Sequence, residues 1–126
     1  GATDVGLWIT KRLQPLPKLI LLNRVAGLAA LEETPAGLTI GAGVTFQDAE
    51  PALTRLAGDL GGLLRRIGSR QVRAVGTIGG NIANGSPIGD SPPALIALGA
   101  TLTLRRGDAT RTMPLEDYFR AYGEQD

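Results

Sequence analysis

The apolar and polar positions along the first third of the chain predict short strands. Residues 28–34 and 38–44 favour two strands, and Pro35-Ala36-Gly37 between them is typical of a tight turn. In the second strand apolar residues alternate with small or polar ones, which is the period of a strand with one buried face. Residues 20–22 are apolar and follow two prolines, so they predict a further buried strand.

The middle of the chain has apolar residues at helical spacing. Residues 49–57 predict a helix, for which Thr45 and Asp48 are candidate caps. Pro51 is expected in the first turn of this helix, where a missing backbone N–H is tolerated. The pattern therefore indicates a helix that packs one apolar face against a core.

Two weaker helical segments and a long irregular one follow. Residues 59–67 predict a second helix in spite of two glycines, and residues 69–73 predict one further turn. Residues 76–89 have no period, and five of these fourteen residues are glycine. Their composition predicts a loop.

The last third of the chain predicts two helices. Asp90-Ser91-Pro92-Pro93 is a polar cap followed by prolines, and it predicts the start of a helix that continues to Leu98. Gly99 is the expected C-terminal cap of that helix. Residues 115–122 predict a short amphipathic helix.

Between these helices the pattern returns to strands. Residues 101–104 and 109–113 favour two strands around a turn at Gly107-Asp108. The chain contains no internal repeat and no low-complexity linker. The predicted fold class is α+β, an antiparallel sheet packed with helices.

Composition excludes several kinds of chemistry. The 126 residues suit one domain. They include neither Cys nor His. The chain therefore has no thiolate nucleophile, no cysteine ligand for an iron–sulfur cluster, no imidazole base and no Ser-His-Asp triad. The net charge of +1 predicts no nucleic acid or membrane surface as a partner. No apolar run approaches the roughly 20 residues of a membrane span, and no secretory signal is evident, so a cytoplasmic location is expected. Redox chemistry would therefore require an organic cofactor.

The first candidate site is the segment at residues 1–6. Its small residues allow backbone N–H groups to approach a ligand oxygen, and successive N–H groups in a tight turn bind anions. The spacing does not match the dinucleotide fingerprint GxGxxG. The sequence begins directly with this segment and ends without a closing element. We therefore expect a piece of a larger protein. The alternative is a small natural domain with a cleaved leader.

The second candidate site is the glycine-rich segment at residues 76–90. Thr77, Asn81, Asn84 and Ser86 provide neutral donors and acceptors, and the glycines allow close approach of a ligand. Asp90 either caps its own helix or binds a ribose hydroxyl of a ligand. The alternative for the whole segment is an irregular loop without a ligand. Two other groups of residues have plainer interpretations: solvated helix charges for Arg70 and Arg73, and core packing for Trp8.

Both glycine-rich segments, together with residues 67–73 and 93–100, carry a family resemblance. The chain resembles the central part of the FAD-binding domain of molybdenum-containing hydroxylases. Within that family it is most similar to the small flavin and iron–sulfur subunit of bacterial xanthine dehydrogenases. The runs Thr77-Ile78-Gly79-Gly80-Asn81-Ile82 and Ser86-Pro87-Ile88-Gly89-Asp90 are its most specific part.

The resemblance implies a fold, a cofactor and a set of binding residues. The fold is the central subdomain of a PCMH-type, vanillyl-alcohol oxidase-like FAD-binding domain. The cofactor is FAD, with the first segment around its pyrophosphate and the second against the diphosphate, ribityl and adenosine portions. No catalytic or metal-binding residue is implied for this chain. The implied FAD-binding residues are Gly1, Ala2, Thr3, Asp4, Val5, Gly6, Thr77, Gly80, Asn81, Ser86 and Asp90.

The resemblance also implies the enzyme around this chain. Iron–sulfur clusters and a molybdenum cofactor are expected in other domains or in a partner subunit, with FAD taking electrons from the clusters and reducing NAD. The substrate implied by the xanthine dehydrogenase likeness is a purine. The alternatives are the FAD subunit of a carbon monoxide, aldehyde or nicotinate-type enzyme, or a non-catalytic interaction domain.

Three expectations follow for the chain by itself. Residues 1–126 are expected to be a partial FAD-binding domain that lacks the preceding strands and the following domain. Ile67 stands where the family usually has an aromatic residue against the flavin ring, which departs from the family pattern. The isolated chain is expected to be inactive, and to self-associate through sheet edges that the intact subunit covers.

Overall fold

The structure, a computed structural model, describes residues 1–121 and 124–126 and divides into two compact units, Gly1–Gly80 and Asn81–Asp126. The helices in the described residues are α1 (Thr3–Thr10), α2 (Phe46–Leu56), α3 (Gly58–Arg66), α4 (Arg70–Arg73), α5 (Ile78–Asn84) and α6 (Ser91–Ala97). The strands are β1 (Leu31–Thr34), β2 (Gly37–Ile40), β3 (Thr101–Arg106), β4 (Ala109–Pro114), β5 (Phe119–Ala121) and β6 (Glu124–Gln125). They pair as three antiparallel hairpins, β1–β2, β3–β4 and β5–β6.

The first hairpin is shorter than the apolar pattern predicts. Strand pairing extends only from Leu31 opposite Ile40 to Thr34 opposite Gly37, whereas strands were expected over 28–34 and 38–44. Beyond Ile40 the chain turns tightly against Leu28, and the Gly43 N–H donates to the Leu28 carbonyl at 2.6 Å. A Cβ at Gly41 would lie 2.4 Å from that carbonyl oxygen, so close backbone approach replaces the regular ladder.

The predicted strand at residues 20–22 is wrong. Ile20 is 87% exposed and Leu21 is 76% exposed, and Leu22–Arg24 forms a 3-10 turn. A strand needs a hydrogen-bonding neighbour, and within the described ranges these residues pair with no strand. Three consecutive apolar residues cannot specify a strand by themselves.

Helix α2 provides most of the buried apolar face of the first unit. Phe46, Ala49, Ala52 and Leu53 are buried, as is Leu64 of α3. The helix begins at Phe46 rather than at residue 49. Pro51 therefore lies inside the helix and not in its first turn, and its missing N–H leaves one intrahelical bond unmade.

The caps of α2 and α4 are made by hydroxyl side chains. Thr45 Oγ1 accepts from the Asp48 N–H at 3.1 Å and donates to Asp48 Oδ2 at 2.7 Å, so the predicted cap is confirmed for Thr45 while Asp48 acts as its partner. Ser69 Oγ accepts from the Val72 N–H at 3.2 Å at the start of α4. The predicted helices at 59–67 and 69–73 are confirmed to within one residue at each end.

An exposed ion pair joins the first hairpin to α2. Arg55 Nε donates to Glu33 Oε2 at 3.1 Å, and Arg55 Nη2 bonds the other carboxylate oxygen. The hydrogen bond from Arg55 is the main cause that lowers the pKa of Glu33. Because both side chains face solvent, the pair contributes little to stability.

The predicted loop at residues 76–89 is wrong over half its length, because residues 78–84 form α5. Thr77 Oγ1 accepts from the Gly80 N–H at 3.0 Å, which is the bond of an N-cap. Ile78 and Ile82 are buried on the helix. Apolar residues four positions apart, with a capping threonine before them, outweigh the low helix propensity of two glycines.

In the second unit, α6 and the hairpin after it match the prediction closely. The Gly99 N–H donates to the Ile96 carbonyl at 2.8 Å, and the Ala100 N–H donates to the Leu95 carbonyl at 3.0 Å. Gly99 has φ +68°, so these two hydrogen bonds form a complete Schellman motif. The prediction of Gly99 as the C-terminal cap of α6 is confirmed. Gly107, at φ +62°, turns β3 into β4.

The predicted amphipathic helix at residues 115–122 is wrong. Leu115–Tyr118 is a single 3-10 turn, and the chain then continues as β5, which pairs with β6; Tyr122 lies outside the described residues. Leu115 and Tyr118 are both buried. A spacing of three satisfies one 3-10 turn as well as an α-helix, so the pattern could not separate them.

We expect Thr45→Ala to lower the free energy of unfolding by about 1 kcal/mol, because the Asp48 N–H loses its acceptor. Urea unfolding of the chain measures the change. Thr45→Ser keeps the hydroxyl, so it should stay within about 0.5 kcal/mol of the parent chain. Equal destabilisation by alanine and serine would show that the cap bond is not responsible.

Candidate functional site

The predicted glycine turn at residues 1–6 is instead the beginning of a helix. Ala2 is the N-cap of α1 with φ +65°, and the helix runs Thr3–Thr10. The turn prediction is wrong because the segment can make intrahelical bonds at once, starting with the Gly6 N–H to the Ala2 carbonyl at 2.9 Å. A helix N-terminus also presents N–H groups to an anion, so the segment stays a candidate anion-binding site.

The N-terminal turn of α1 leaves backbone donors ahead of its first intrahelical bond. Within the described residues, the N–H groups of Thr3, Asp4 and Val5 have no acceptor. No side-chain cap satisfies them either, because Ala2 has no polar group. Asp4 lies in this first turn, where the helix dipole favours a carboxylate. These donors and the dipole suit a phosphate oxygen.

Helix α1 is peripheral to the core. None of its residues is buried, and Trp8 is half-buried. The prediction that Trp8 serves in core packing is therefore wrong for the described structure. The apolar core of this unit is formed by α2, α3 and the start of α5.

The start of α5 lies beside the start of α1 within the first unit. The Gly1 nitrogen donates to the Val75 carbonyl, and a Cβ built on Gly1 would lie 4.0 Å from Thr77 Cγ2. Thr77 Oγ1 accepts from the Gly80 N–H, so its hydroxyl hydrogen is available to a ligand. The structure thus brings together residues from both predicted segments.

Gly79 sets the position of α5. A Cβ at this position would lie 2.5 Å from Ala42 Cβ and 2.6 Å from the Ala42 carbonyl oxygen. Only glycine therefore lets the helix approach that turn. The sequence places this glycine in a candidate ligand-binding segment, whereas in the structure it serves packing.

In the second unit, residues 85–90 connect α5 to α6 as a tight turn. Gly85 has φ +58°, and the Gly89 N–H donates to the Ser86 carbonyl at 3.0 Å. Ser86 Oγ accepts from the Ile88 N–H at 3.4 Å. The turn is thus held by its own backbone and by one hydroxyl.

Asp90 precedes α6 without capping it. Its side chain makes no cap bond, and the helix begins at Ser91. The carboxylate is exposed. Of the two roles considered for Asp90, the structure excludes the cap.

Ser91 was not singled out from the sequence as a functional residue. It is only 3% exposed, and its hydroxyl donates to Asn81 Oδ1 at 2.5 Å. The position of this serine, at the first residue of a helix that starts with prolines, does not predict a hydrogen bond to a residue ten positions earlier. The bond fixes one of the predicted FAD-binding side chains, Asn81.

Arg70 and Arg73 line a groove of about 260 Å³ that contains none of the predicted FAD-binding residues. Arg73 Nη1 donates to the carbonyls of Ile67 at 3.1 Å and Gly68 at 2.8 Å. The prediction of a merely solvated charge is thus wrong for Arg73, which holds the turn before α4. Arg70 is exposed, as predicted.

Two further findings bear on the chemistry. Across residues 1–121 and 124–126, no cluster of three or more His, Cys, Asp or Glu side chains could hold a metal ion. None of the helices in the same ranges combines the length and apolar character of a membrane span.

Comparison with known proteins identifies relatives over the whole chain. Residues 1–126 match the family described as the FAD binding domain in molybdopterin dehydrogenase. A xanthine dehydrogenase/oxidase of Gallus gallus is 29% identical and matches 94% of this chain. The FAD subunit of nicotinate dehydrogenase from Eubacterium barkeri is 32% identical and matches 98%. A structure of carbon monoxide dehydrogenase from Hydrogenophaga pseudoflava superposes over 98% of the chain, with a TM-score of 0.88 and 28% identity.

These matches confirm the family resemblance and the α+β fold. The chain spans 10% of the Gallus gallus protein, 42% of the Eubacterium barkeri subunit and 44% of the carbon monoxide dehydrogenase chain. The individual FAD-binding residues, the PCMH-type class and the domain boundaries stay predictions.

Two helical glycines should respond to alanine with opposite signs. Gly79→Ala should destabilise the chain by about 1 to 3 kcal/mol, because the new methyl group overlaps Ala42. Gly62→Ala in α3 is the matched control: its Cβ would meet nothing within 4 Å. It should stabilise the chain by about 0.5 to 1 kcal/mol through higher helix propensity. Thermal unfolding measures both, and a tolerated Gly79→Ala would contradict the described packing of α5.

Proposed function

Because the chain belongs to the family of FAD-binding domains in molybdopterin dehydrogenases, we propose that its two glycine-rich segments bind FAD within a molybdenum hydroxylase. The observation that carries this proposal is the presence of backbone N–H donors and of Thr77 in the first unit. Three N–H groups at the start of α1, which have no acceptor among the described residues, lie in the same unit as Thr77, whose methyl group would lie 4.0 Å from a Cβ built on Gly1. This donor set suits a ligand that carries phosphate groups.

Although the Asp4 carboxylate lies in the same helix turn, the FAD pyrophosphate fits the backbone N–H donors of the first unit. It carries negative charge, which the positive end of the α1 dipole favours. Backbone N–H groups of Thr3, Asp4 and Val5 donate to its oxygens in this proposal, as does the Thr77 hydroxyl. Gly1, Ala2, Gly6 and Gly80 have little or no side chain, so they leave the backbone accessible.

The residues of the second unit suit the hydroxyl-rich parts of FAD. Asn81 provides a carboxamide, Ser86 a hydroxyl, and Asp90 an exposed carboxylate that no helix cap occupies. A carboxylate accepts from ribose hydroxyls, whereas it would repel a phosphate. We therefore propose that Asp90 binds a ribose or ribityl hydroxyl.

The part played by this chain is to bind and orient the cofactor. When bound, FAD would supply the redox chemistry, as the acceptor of electrons relayed from the substrate by a molybdenum cofactor and iron–sulfur clusters outside this chain and as the donor to NAD. The chain has no His and no Cys, so neither an imidazole nor a thiol of its own acts as acid, base or nucleophile. Its residues act through hydrogen bonds and the helix dipole.

The proposal for the whole enzyme is a cytoplasmic xanthine dehydrogenase-like oxidoreductase that hydroxylates a purine. Its partner would be a subunit or domain that holds the molybdenum cofactor, and residues 1–126 would form part of its FAD-binding domain. Relatives include nicotinate and glyceraldehyde dehydrogenases, so the flavin-binding part does not select the substrate. Anaerobic reduction of the protein-bound flavin by xanthine, nicotinate or an aldehyde separates these alternatives.

We expect Asp90→Ala to weaken FAD binding by the protein that carries this chain. Loss of a hydrogen bond to a charged acceptor costs about 1.5 to 3 kcal/mol, or roughly 10-fold to 100-fold in the dissociation constant. Titration of the FAD-free protein, followed by flavin fluorescence, measures the change. Stability without FAD should not fall, since the side chain makes no cap bond.

Asp108→Ala is the matched control, because it removes an exposed carboxylate from the β3–β4 turn. This variant should bind FAD as the parent protein does. If the Asp90→Ala protein binds FAD as tightly as the control, Asp90 does not contact the cofactor. A parent protein without any affinity for FAD would overturn the proposed function itself.

A further inference from the structure

The bond between Ser91 and Asn81 joins the two helices on either side of the 85–90 turn. Ser91 is the first residue of α6, and Asn81 lies in α5. The serine is 3% exposed, and its hydroxyl donates to Asn81 Oδ1 at 2.5 Å. A buried hydroxyl with one defined partner fixes that partner in space.

This bond determines how the Asn81 carboxamide can act. The group is planar, with a carbonyl oxygen on one side and an NH2 group on the other. Ser91 occupies the oxygen, and among the described residues no acceptor takes the NH2 hydrogens. Asn81 itself is half-buried, so part of it is accessible to a ligand.

We propose that Ser91 is a positioning residue for FAD, holding Asn81 so that its Nδ2 donates to an oxygen of the cofactor. This inference rests on the proposed FAD-binding function. Without the serine, rotation of the carboxamide would present its oxygen or its nitrogen to the ligand, and a cofactor oxygen would be repelled in one orientation. If the serine fixes the amide before FAD binds, binding no longer includes the free-energy cost of ordering the carboxamide.

The surrounding residues allow this arrangement. A Cβ at Gly89 would lie 3.6 Å from Asn81 Oδ1 and 3.2 Å from the Ser86 carbonyl. The distance of 3.6 Å is an ordinary van der Waals contact, so Gly89 packs beside the Ser91–Asn81 bond. Pro92, which is also buried, holds Ser91 at the start of α6.

A double-mutant cycle on FAD affinity tests the proposal in the full-length protein. Ser91→Ala should raise the FAD dissociation constant about 5-fold to 10-fold, which corresponds to one net hydrogen bond. Asn81→Ala should raise it by at least as much. The double variant should bind no more weakly than Asn81→Ala alone, because Ser91 acts only through Asn81.

Two conservative variants separate positioning from packing. Ser91→Thr keeps the hydroxyl and should restore FAD affinity to within about 2-fold of the parent. Ser91→Cys keeps the volume but has a weak donor, so it should reproduce the loss even where the alanine variant fails to fold. Circular dichroism without FAD establishes that each variant compared is folded.

Additive losses in the double variant would overturn the proposal, because Ser91 would then act independently of Asn81. So would unchanged affinity in Ser91→Ala and Ser91→Cys, or in Asn81→Ala. In each of these results the parent protein still binds FAD, so the proposed function survives. A parent protein that binds no FAD overturns both.

Discussion

Two short backbone segments meet in the first unit, and helices α2 and α5 begin from this contact. The Phe46 N–H donates to the Gly76 carbonyl at 3.0 Å, and the Ile78 N–H donates to the Val44 carbonyl at 3.0 Å, so Thr45 and Thr77 face each other as an antiparallel bridge. Each threonine is also an N-cap, one for α2 and one for α5. The side chains of Val44, Phe46 and Ile78 enter the core, and each is at most 4% exposed.

This bridge explains why a glycine-rich segment is ordered in the described structure. Hydrogen bonds to residues 44–46 fix the backbone before α5, and burial of Ile78 favours the first turn of the helix. Gly79 then allows the helix to approach Ala42. The glycines at 76, 79 and 80 therefore serve close approach to neighbouring atoms.

The elements whose signals are local were predicted correctly. Thr45 was correct as a helix cap, Gly99 as a C-terminal cap and Gly107 as a turn, because in each case one side chain or one missing Cβ decides the conformation. The family was predicted from two glycine-rich motifs, and the match over residues 1–126 confirms it.

The errors concern structure that depends on distant contacts. Helix α5 was missed because the bridge to Thr45 and packing on Ala42 add to its local cap and apolar spacing, and neither distant contact is visible in the local pattern. Residues 20–22 were assigned to a strand on apolar character alone, although a strand also needs a partner. The bond from Ser91 to Asn81 could not be foreseen, because it depends on the path of the 85–90 turn.

The central claim is the proposal that N–H groups at the start of α1 bind a phosphate of FAD and that Asp90, at the end of the 85–90 turn, binds one of its hydroxyl groups. Amide hydrogen exchange of the full-length protein, with and without FAD, tests it most directly. The account predicts slower exchange with FAD at Thr3, Asp4 and Val5, which lack acceptors in the described structure, and at residues 86–90, with α3 unchanged as an internal reference. Tight FAD binding with unchanged exchange at both segments would contradict it.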